Sequence, residues 1–195
     1  MGSEMCIRDR NSIHNEFRAK DNLLLYFSGH GIITRSGMDG YWLGVEATRG
    51  QPSSWLPNQA ITTIMSLFNA QQMIVLADAC FTEVEPVKRN LVDLIKPIIN
   101  KNQVRAIPTQ SCRTVLASGW RQPIVSNDDP GASLFSSSLL DILRESSGII
   151  TSDDLHRELE RRVKRHQLNN LGIHPVYGRL SDTKHNEGEF IFRPS

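Results

Sequence analysis

The sequence predicts an α/β fold, a three-layer α/β/α sandwich in which a mainly parallel central sheet has helices on both faces. Two short apolar runs, residues 23–27 and 73–77, are typical of strands that are buried on both faces. Between them, residues 58–68 carry apolar side chains on one helical face and begin at Asn58, a good helix cap. A strand, a helix and a strand in this order indicate neighbouring parallel strands joined by a right-handed crossover.

Length and composition are those of a single globular domain. The chain has 195 residues, 39% of them hydrophobic and 22% charged, which are ordinary proportions for a soluble protein. Its net charge of +1 does not support a broad nucleic-acid surface, and no apolar stretch is long enough to span a bilayer. Three cysteines make no disulfide framework and no signal peptide is visible, so we expect a cytoplasmic protein without nucleic-acid or membrane partners.

The first ten residues do not read as native protein. Residues 5–10 resemble a translated sequencing-adapter read-through, so residues 1–10 are set apart as a non-native segment and Cys6 is treated as accidental. We expect the native chain to begin further upstream. Ile13 and Phe17, four residues apart, indicate the end of an amphipathic helix that leads into the first strand.

The remaining elements follow from the apolar pattern. Residues 41–45 read as a short strand or hairpin arm, and the Gly, Pro and Ser content of residues 48–54 indicates a loop. Thr151 with Asp154 forms a capping-box-like helix start. The other expected helices and strands are helices over residues 87–99, 134–143 and 155–163 and strands over residues 114–117, 175–178 and 189–192.

A reactive side chain follows each of the two buried runs. His30 lies between Gly29 and Gly31 after the first run, and Cys80 follows the second. The ends of neighbouring parallel strands meet at one edge of a sheet, where open α/β folds place their sites. A thiolate with an imidazole beside it is a nucleophile with its proton carrier, and the Gly31 and Cys80 N–H groups are candidates for an oxyanion hole.

These motifs carry a family resemblance. Tyr-Phe-Ser-Gly-His-Gly at residues 26–31 and Asp-Ala-Cys at residues 78–80 resemble the two catalytic motifs of the caspase-like cysteine peptidases: caspases, metacaspases and bacterial orthocaspases. The His precedes the Cys by 50 residues, the separation known for caspases. The resemblance implies a caspase-like sandwich whose first strands are missing from this chain, and an endopeptidase that uses a Cys–His dyad.

The resemblance also implies a division of the caspase-like domain, residues 11–195. Its parts are a large-subunit-like part over residues 11–83, a linker and helix insert over residues 84–112, and a small-subunit-like part over residues 113–195.

Asp78 is the candidate specificity residue. The resemblance places the position two before the Cys at the base of the S1 pocket, which receives the residue before the scissile bond, P1. Caspases that cut after Asp have Gln there, whereas metacaspases and orthocaspases have Asp and cut after Arg or Lys. A carboxylate can pair bidentately with a guanidinium and repels an acidic P1. The other interpretation of Asp78 is a cap or turn residue. Trp120 is a second candidate, which either lines the substrate-binding cleft or packs in the interior.

Other polar residues have simpler interpretations. Ser28 reads as a turn residue and Cys112 as a structural thiol. Asp128 and Asp129 could be offered as a calcium site, since several metacaspases need calcium, but adjacent loop carboxylates are usually solvated. The cysteines lack zinc-site spacing, and thiol hydrolysis requires no cofactor.

Two rival functions stay open. The family usually continues its nucleophile motif with Ser-Gly, whereas Thr82 and Glu83 follow Phe81 here, and a negative charge near the thiolate would slow its attack. That departure favours a weak or inactive caspase-like interaction module. An unrelated α/β ligand-binding domain is the third interpretation, although the chain lacks a Gly-rich phosphate loop of the usual spacing.

Overall fold

The computed structural model describes the chain in seven segments. They are residues 18–33, 40–83, 95–96, 110–118, 132–166, 174–180 and 183–193, with only the backbone described for residues 80–83, 95–96 and 166. The adapter-like residues 1–10, the end of the expected N-terminal helix and most of the insert over residues 84–112 lie outside these segments.

The described residues form a seven-stranded sheet with the strand order β3-β2-β1-β4-β6-β8-β5. Its strands are β1 (Asn22–Ile33), β2 (Gly40–Leu43), β3 (Leu56–Pro57), β4 (Gln72–Glu83), β5 (Ile95–Lys96), β6 (Cys112–Ala117) and β8 (Val176–Leu180). The central strands β1, β4 and β6 are parallel to one another. Each strand added at the two edges runs antiparallel to the neighbour with which it pairs. The sheet is therefore mixed, with the predicted parallel arrangement at its centre.

Helices cover both faces of this sheet, as predicted for a three-layer fold. They are α1 (Asn58–Leu67), α2 (Leu134–Glu145) and α3 (Ser152–His166). Because successive strand residues face opposite sides, Met73 and Val75 of β4 pack in the core with α1, whereas Ile74 and Leu76 pack in the core with α2 and α3. None of the described helices is long and apolar enough to cross a membrane.

The starts of α2 and α3 have local causes, and that of α3 was readable in the sequence. At α3, Thr151 Oγ1 accepts a hydrogen bond from the Asp154 N–H at 3.2 Å and donates to the Asp154 carboxylate at 3.0 Å. These bonds confirm the capping-box-like start. At α2, Ser133 Oγ accepts from the Ser136 N–H at 3.0 Å.

Three expectations differ from the structure. Ile95–Lys96 forms β5 and pairs with β8, so the helix expected over residues 87–99 is wrong at residues 95–96. The reason is that the open edge of β8 binds the chain in an extended conformation. The last predicted strand, β9 (Ile191–Phe192), pairs with β7 (Ile150–Thr151) in a separate two-stranded sheet. Neither motif strand ends at its reactive residue, because β1 continues to Ile33 and β4 to Glu83.

Arg113 connects α1 to the sheet from inside. Its side chain is only 2% exposed. It donates to five backbone carbonyls, those of Met65, Phe68, Ala70, Gln71 and Cys112. The first four lie at the end of α1 and in the turn that leads to β4, so one guanidinium satisfies the carbonyls of this connection.

The backbone N–H of Arg113 donates to His185 Nδ1 at 3.1 Å, which requires that ring nitrogen to be unprotonated. Burial lowers the pKa of His185 below its usual 6.5. Below pH 6.5 the unfolded chain therefore binds a proton at this position more readily than the folded protein does.

We expect the stability of the protein to fall as the pH drops below 6.5, and a His185→Asn variant, which keeps an acceptor but cannot titrate, to lose part of that dependence. Urea unfolding midpoints at pH 7.5 and pH 5.5 measure the effect. His174→Asn is the matched control, because His174 is exposed. An equal pH dependence in the wild type and the His185→Asn variant would contradict the assignment.

Candidate active site

His30 and Cys80 lie opposite each other on neighbouring strands. β1 and β4 pair in parallel over their whole lengths, and His30 is the register partner of Cys80. Neighbouring strands are about 4.8 Å apart, so the two backbones are adjacent at the position that the sequence predicted for a nucleophile and its base. The His30 side chain is exposed. Because β1 and β4 both continue beyond these residues, His30 and Cys80 lie within the hydrogen-bonded region of the two strands and not at the strand ends.

The residues beside His30 have packing roles. A Cβ at Gly29 would lie 3.0 Å from Phe27 Cζ, and the Phe27 ring packs against Trp42 with centroids 4.4 Å apart. Gly29 therefore leaves space for the Phe27 ring on this strand. Gly31 is buried in β1, with Trp42 of β2 as partner on one side and Phe81 of β4 on the other. Its role in an oxyanion hole stays a prediction.

Glu83 lies on the same strand as Cys80. It is the last residue of β4, three positions after Cys80, and an extended chain rises about 3.3 Å per residue. The two Cα atoms are therefore separated by about 10 Å along the strand. The effect of the Glu83 charge on the thiolate stays a prediction.

Asp78 is held by the start of α2. It is only 6% exposed, and its Oδ2 atom accepts hydrogen bonds from the hydroxyls of Ser133 and Ser136. In the ladder, Asp78 is the partner of Ser28, one residue pair before Gly29 and Ala79. Asp78 is therefore a buried carboxylate two residues from Cys80, and it also fixes the first turn of α2 to β4.

The directions of these hydrogen bonds follow from counting protons. A carboxylate only accepts, so Ser136 uses its single hydroxyl proton on Asp78. Ser136 Oγ is also 2.7 Å from the Tyr26 hydroxyl, which must then be the donor of that bond. Tyr26, Ser136 and Asp78 thus form a directed chain that joins β1, α2 and β4.

Asp78 has no cationic partner in the described segments. None of the ion pairs among the described residues includes it. Its second oxygen, Oδ1, likewise accepts no hydrogen bond from any described residue. Within the described segments, the two serine hydroxyls are therefore the groups that compensate the burial of this carboxylate.

Cys112 lies in the interior, on the central strand β6. It is fully buried, with 0% exposure, and its thiol donates to the Met73 carbonyl at 3.7 Å. Burial raises the pKa of Cys112 to about 12, so at neutral pH it is an unreactive thiol. These observations support the structural interpretation of this residue.

Other predicted site residues lie outside the described segments. Trp120, Asp128 and Asp129 are among them, so their expected roles stay predictions. Within the segments that the structure does describe, no cluster of three or more His, Cys, Asp or Glu residues is suited to a metal ion.

The sequence analysis missed Ser133, Ser136 and Tyr26. The two serines are three residues apart at a helix start, a spacing that places them on one side of the first turn. That spacing was a signal for a shared partner. The partner itself, 55 residues away from Ser133, had no local signal.

The chain matches a protein-family model over most of its length. The model of the caspase domain, Peptidase_C14, matches residues 7–184, so the chain belongs to this family of cysteine peptidases. Membership of a peptidase family implies that its substrates are proteins or peptides. No curated protein matches the chain.

Proposed function

We propose that the chain is a cysteine endopeptidase that cleaves after Arg or Lys with a dyad of His30 and Cys80. The Cys80 thiolate attacks the scissile carbonyl carbon, and the Gly31 and Cys80 N–H groups stabilise the oxyanion. The carbon–nitrogen bond then breaks while His30, which carries the proton taken from the Cys80 thiol, protonates the leaving amine. His30 next removes a proton from water, which hydrolyses the thioester and frees Cys80.

The observation that carries the proposal is the buried carboxylate of Asp78 without a described cation, two residues before Cys80 in the strand that pairs with His30. A guanidinium or ammonium group at P1 would supply the missing positive charge. An acidic P1 would instead bring a second negative charge close to a carboxylate that is only 6% exposed.

The chemistry of a thiol and an imidazole requires no cofactor. The same test, run with calcium and with a chelator, also measures calcium dependence through Asp128 and Asp129. We also propose that the protein works in the cytoplasm, on the basis of its cysteine content.

We expect a fluorogenic peptide with Arg at P1 to be cleaved at least about a hundredfold faster than the same peptide with Asp, since a like charge beside a buried carboxylate costs several kcal/mol. The measurement is kcat/KM for the two peptides, with calcium and with a chelator. The control is the same protein after alkylation of its accessible thiols.

Three outcomes separate the rival functions. Faster cleavage of the Arg peptide supports the proposal, and preference for Asp would keep the peptidase but reject the role of Asp78. No turnover of either peptide by the folded protein would favour the inactive interaction module, the alternative that Glu83 suggested.

A further inference from the structure

The two hydrogen bonds to Asp78 both end on the same oxygen. Ser133 Oγ and Ser136 Oγ donate to Oδ2, and no described residue donates to Oδ1. A carboxylate oxygen offers about two lone-pair sites, so the two serines fill the capacity of Oδ2. Only Oδ1 is left for a substrate.

This occupancy changes what Asp78 can do with a P1 side chain. A bidentate pair with arginine places one N–H group on each carboxylate oxygen. With Oδ2 filled, that geometry is blocked, and the bidentate pairing expected from the sequence is not available in the observed arrangement. A guanidinium and an ammonium group would both meet Asp78 through Oδ1 alone, mainly as point charges.

We propose that Ser133 and Ser136 are specificity-determining residues that make the peptidase accept Arg and Lys at P1 with little discrimination. This inference rests on the proposed cleavage after basic residues. The serines would act through Asp78 without touching the substrate. Arg and Lys carry the same charge, so a contact through one oxygen leaves few means of telling them apart.

Tyr26 strengthens the restriction. Because Ser136 gives its proton to Asp78, the Tyr26 hydroxyl at 2.7 Å donates to Ser136 Oγ, and this second hydrogen bond holds the Ser136 hydroxyl in place. Ser133 is held similarly, because its Oγ accepts from the Ser136 N–H at 3.0 Å while donating to Asp78. Both hydroxyls are therefore directed at Oδ2 before any substrate arrives.

The test is the ratio of kcat/KM for two peptides that differ only in Arg or Lys at P1. We expect this ratio to lie within about fivefold of one in the wild type and to rise roughly five- to tenfold in Ser136→Ala, since a charge-assisted hydrogen bond to Oδ2 is then possible only for Arg. A ratio within one protein cancels any general loss of activity. Ser137→Ala is the matched control, because Ser137 donates to the Leu134 carbonyl and not to Asp78.

Ser133→Gly provides a second, independent variant. Glycine is tolerated at the helix N-cap, so this change removes the other donor to Oδ2 at small cost to α2. The same increase in the ratio supports the proposal. An unchanged ratio in an active Ser136→Ala or Ser133→Gly variant would overturn it, as would a wild-type preference for Arg above about fiftyfold.

Failure of the inference is distinct from failure of the proposed function. If the folded wild type cleaves neither the Arg nor the Lys peptide, cleavage after basic residues is wrong and this inference falls with it. If the wild type cleaves both peptides but the serine variants leave the ratio unchanged, the function stands and the role of the serines is rejected.

Discussion

A Cys80→Ala variant will lose at least about ten-thousandfold in kcat for the P1-Arg peptide, because the covalent route has no substitute once the nucleophile is gone. Binding of the peptide should change little, since the methyl group of alanine leaves Asp78 and the serines around it in place. Single-turnover kinetics measures the chemical step, and competition by an uncleaved P1-Arg peptide analogue measures binding.

The chain supplies its own control for loss of a thiol. Cys112→Ala removes a buried cysteine whose pKa is raised to about 12, so its thiol is protonated at neutral pH and takes no part in the proposed chemistry. We expect kcat to stay within about twofold of the wild type while the free energy of unfolding falls by about 1 kcal/mol. Full activity in Cys80→Ala, or its loss in a folded Cys112→Ala, would refute the assignment.

Combining His30→Ala with Cys80→Ala tests whether the two residues act as a unit. Members of a catalytic dyad are not additive, because removing either one already abolishes the mechanism that both serve. The double variant should therefore be no slower than Cys80→Ala alone. A further loss of about a hundredfold in the double variant would show that His30 works independently of Cys80.

The parts of the fold that were predictable have local signals. The crossover helix α1 followed from its apolar periodicity, and the start of α3 from Thr151 and Asp154. Parallel pairing of β1 and β4 followed from two apolar runs joined by that helix. Each of these features depends on residues that are close in the sequence.

The parts that were not predictable depend on partners far along the chain. β1 continues past His30 because residues 40–43 return as β2 and pair with its last four residues, and β5 exists because β8 offers an open edge. Asp78 could be identified from the motif at residues 78–80, but its hydroxyl partners lie on a helix more than fifty residues away. A motif names the reactive residues, whereas the geometry that restricts their chemistry comes from long-range contacts.

Replacing Arg113 by methionine will destabilise the protein by about 3 to 5 kcal/mol. Methionine fills much of the same space, so the loss is mainly of hydrogen bonds from one guanidinium to five backbone carbonyls. Burying the guanidinium is itself costly, and desolvation lowers the pKa of Arg113. Removing the charge would recover that cost, but the buried carbonyls left without donors cost about 1 to 3 kcal/mol each.

The expected loss of stability resembles that of a buried ion pair from which one partner is removed. In both cases the cost of the group left unpaired dominates the change in the free energy of unfolding. Urea unfolding at pH 7.5 gives the change in the free energy of unfolding. Arg113→Lys should cost less than Arg113→Met, because an ammonium group keeps the charge and up to three donors.

Arg144→Met is the matched control, since the Arg144 side chain is 73% exposed and lies 3.9 Å from Asp141. We expect it to change the stability by less than about 0.5 kcal/mol. If Arg113→Met stayed within about 1 kcal/mol of the wild type, water or rearranged backbone would have to satisfy the carbonyls after α1. The connection between α1 and β4 would then be held by apolar packing, and Arg113 would not be the residue that fixes the crossover between the two motif strands.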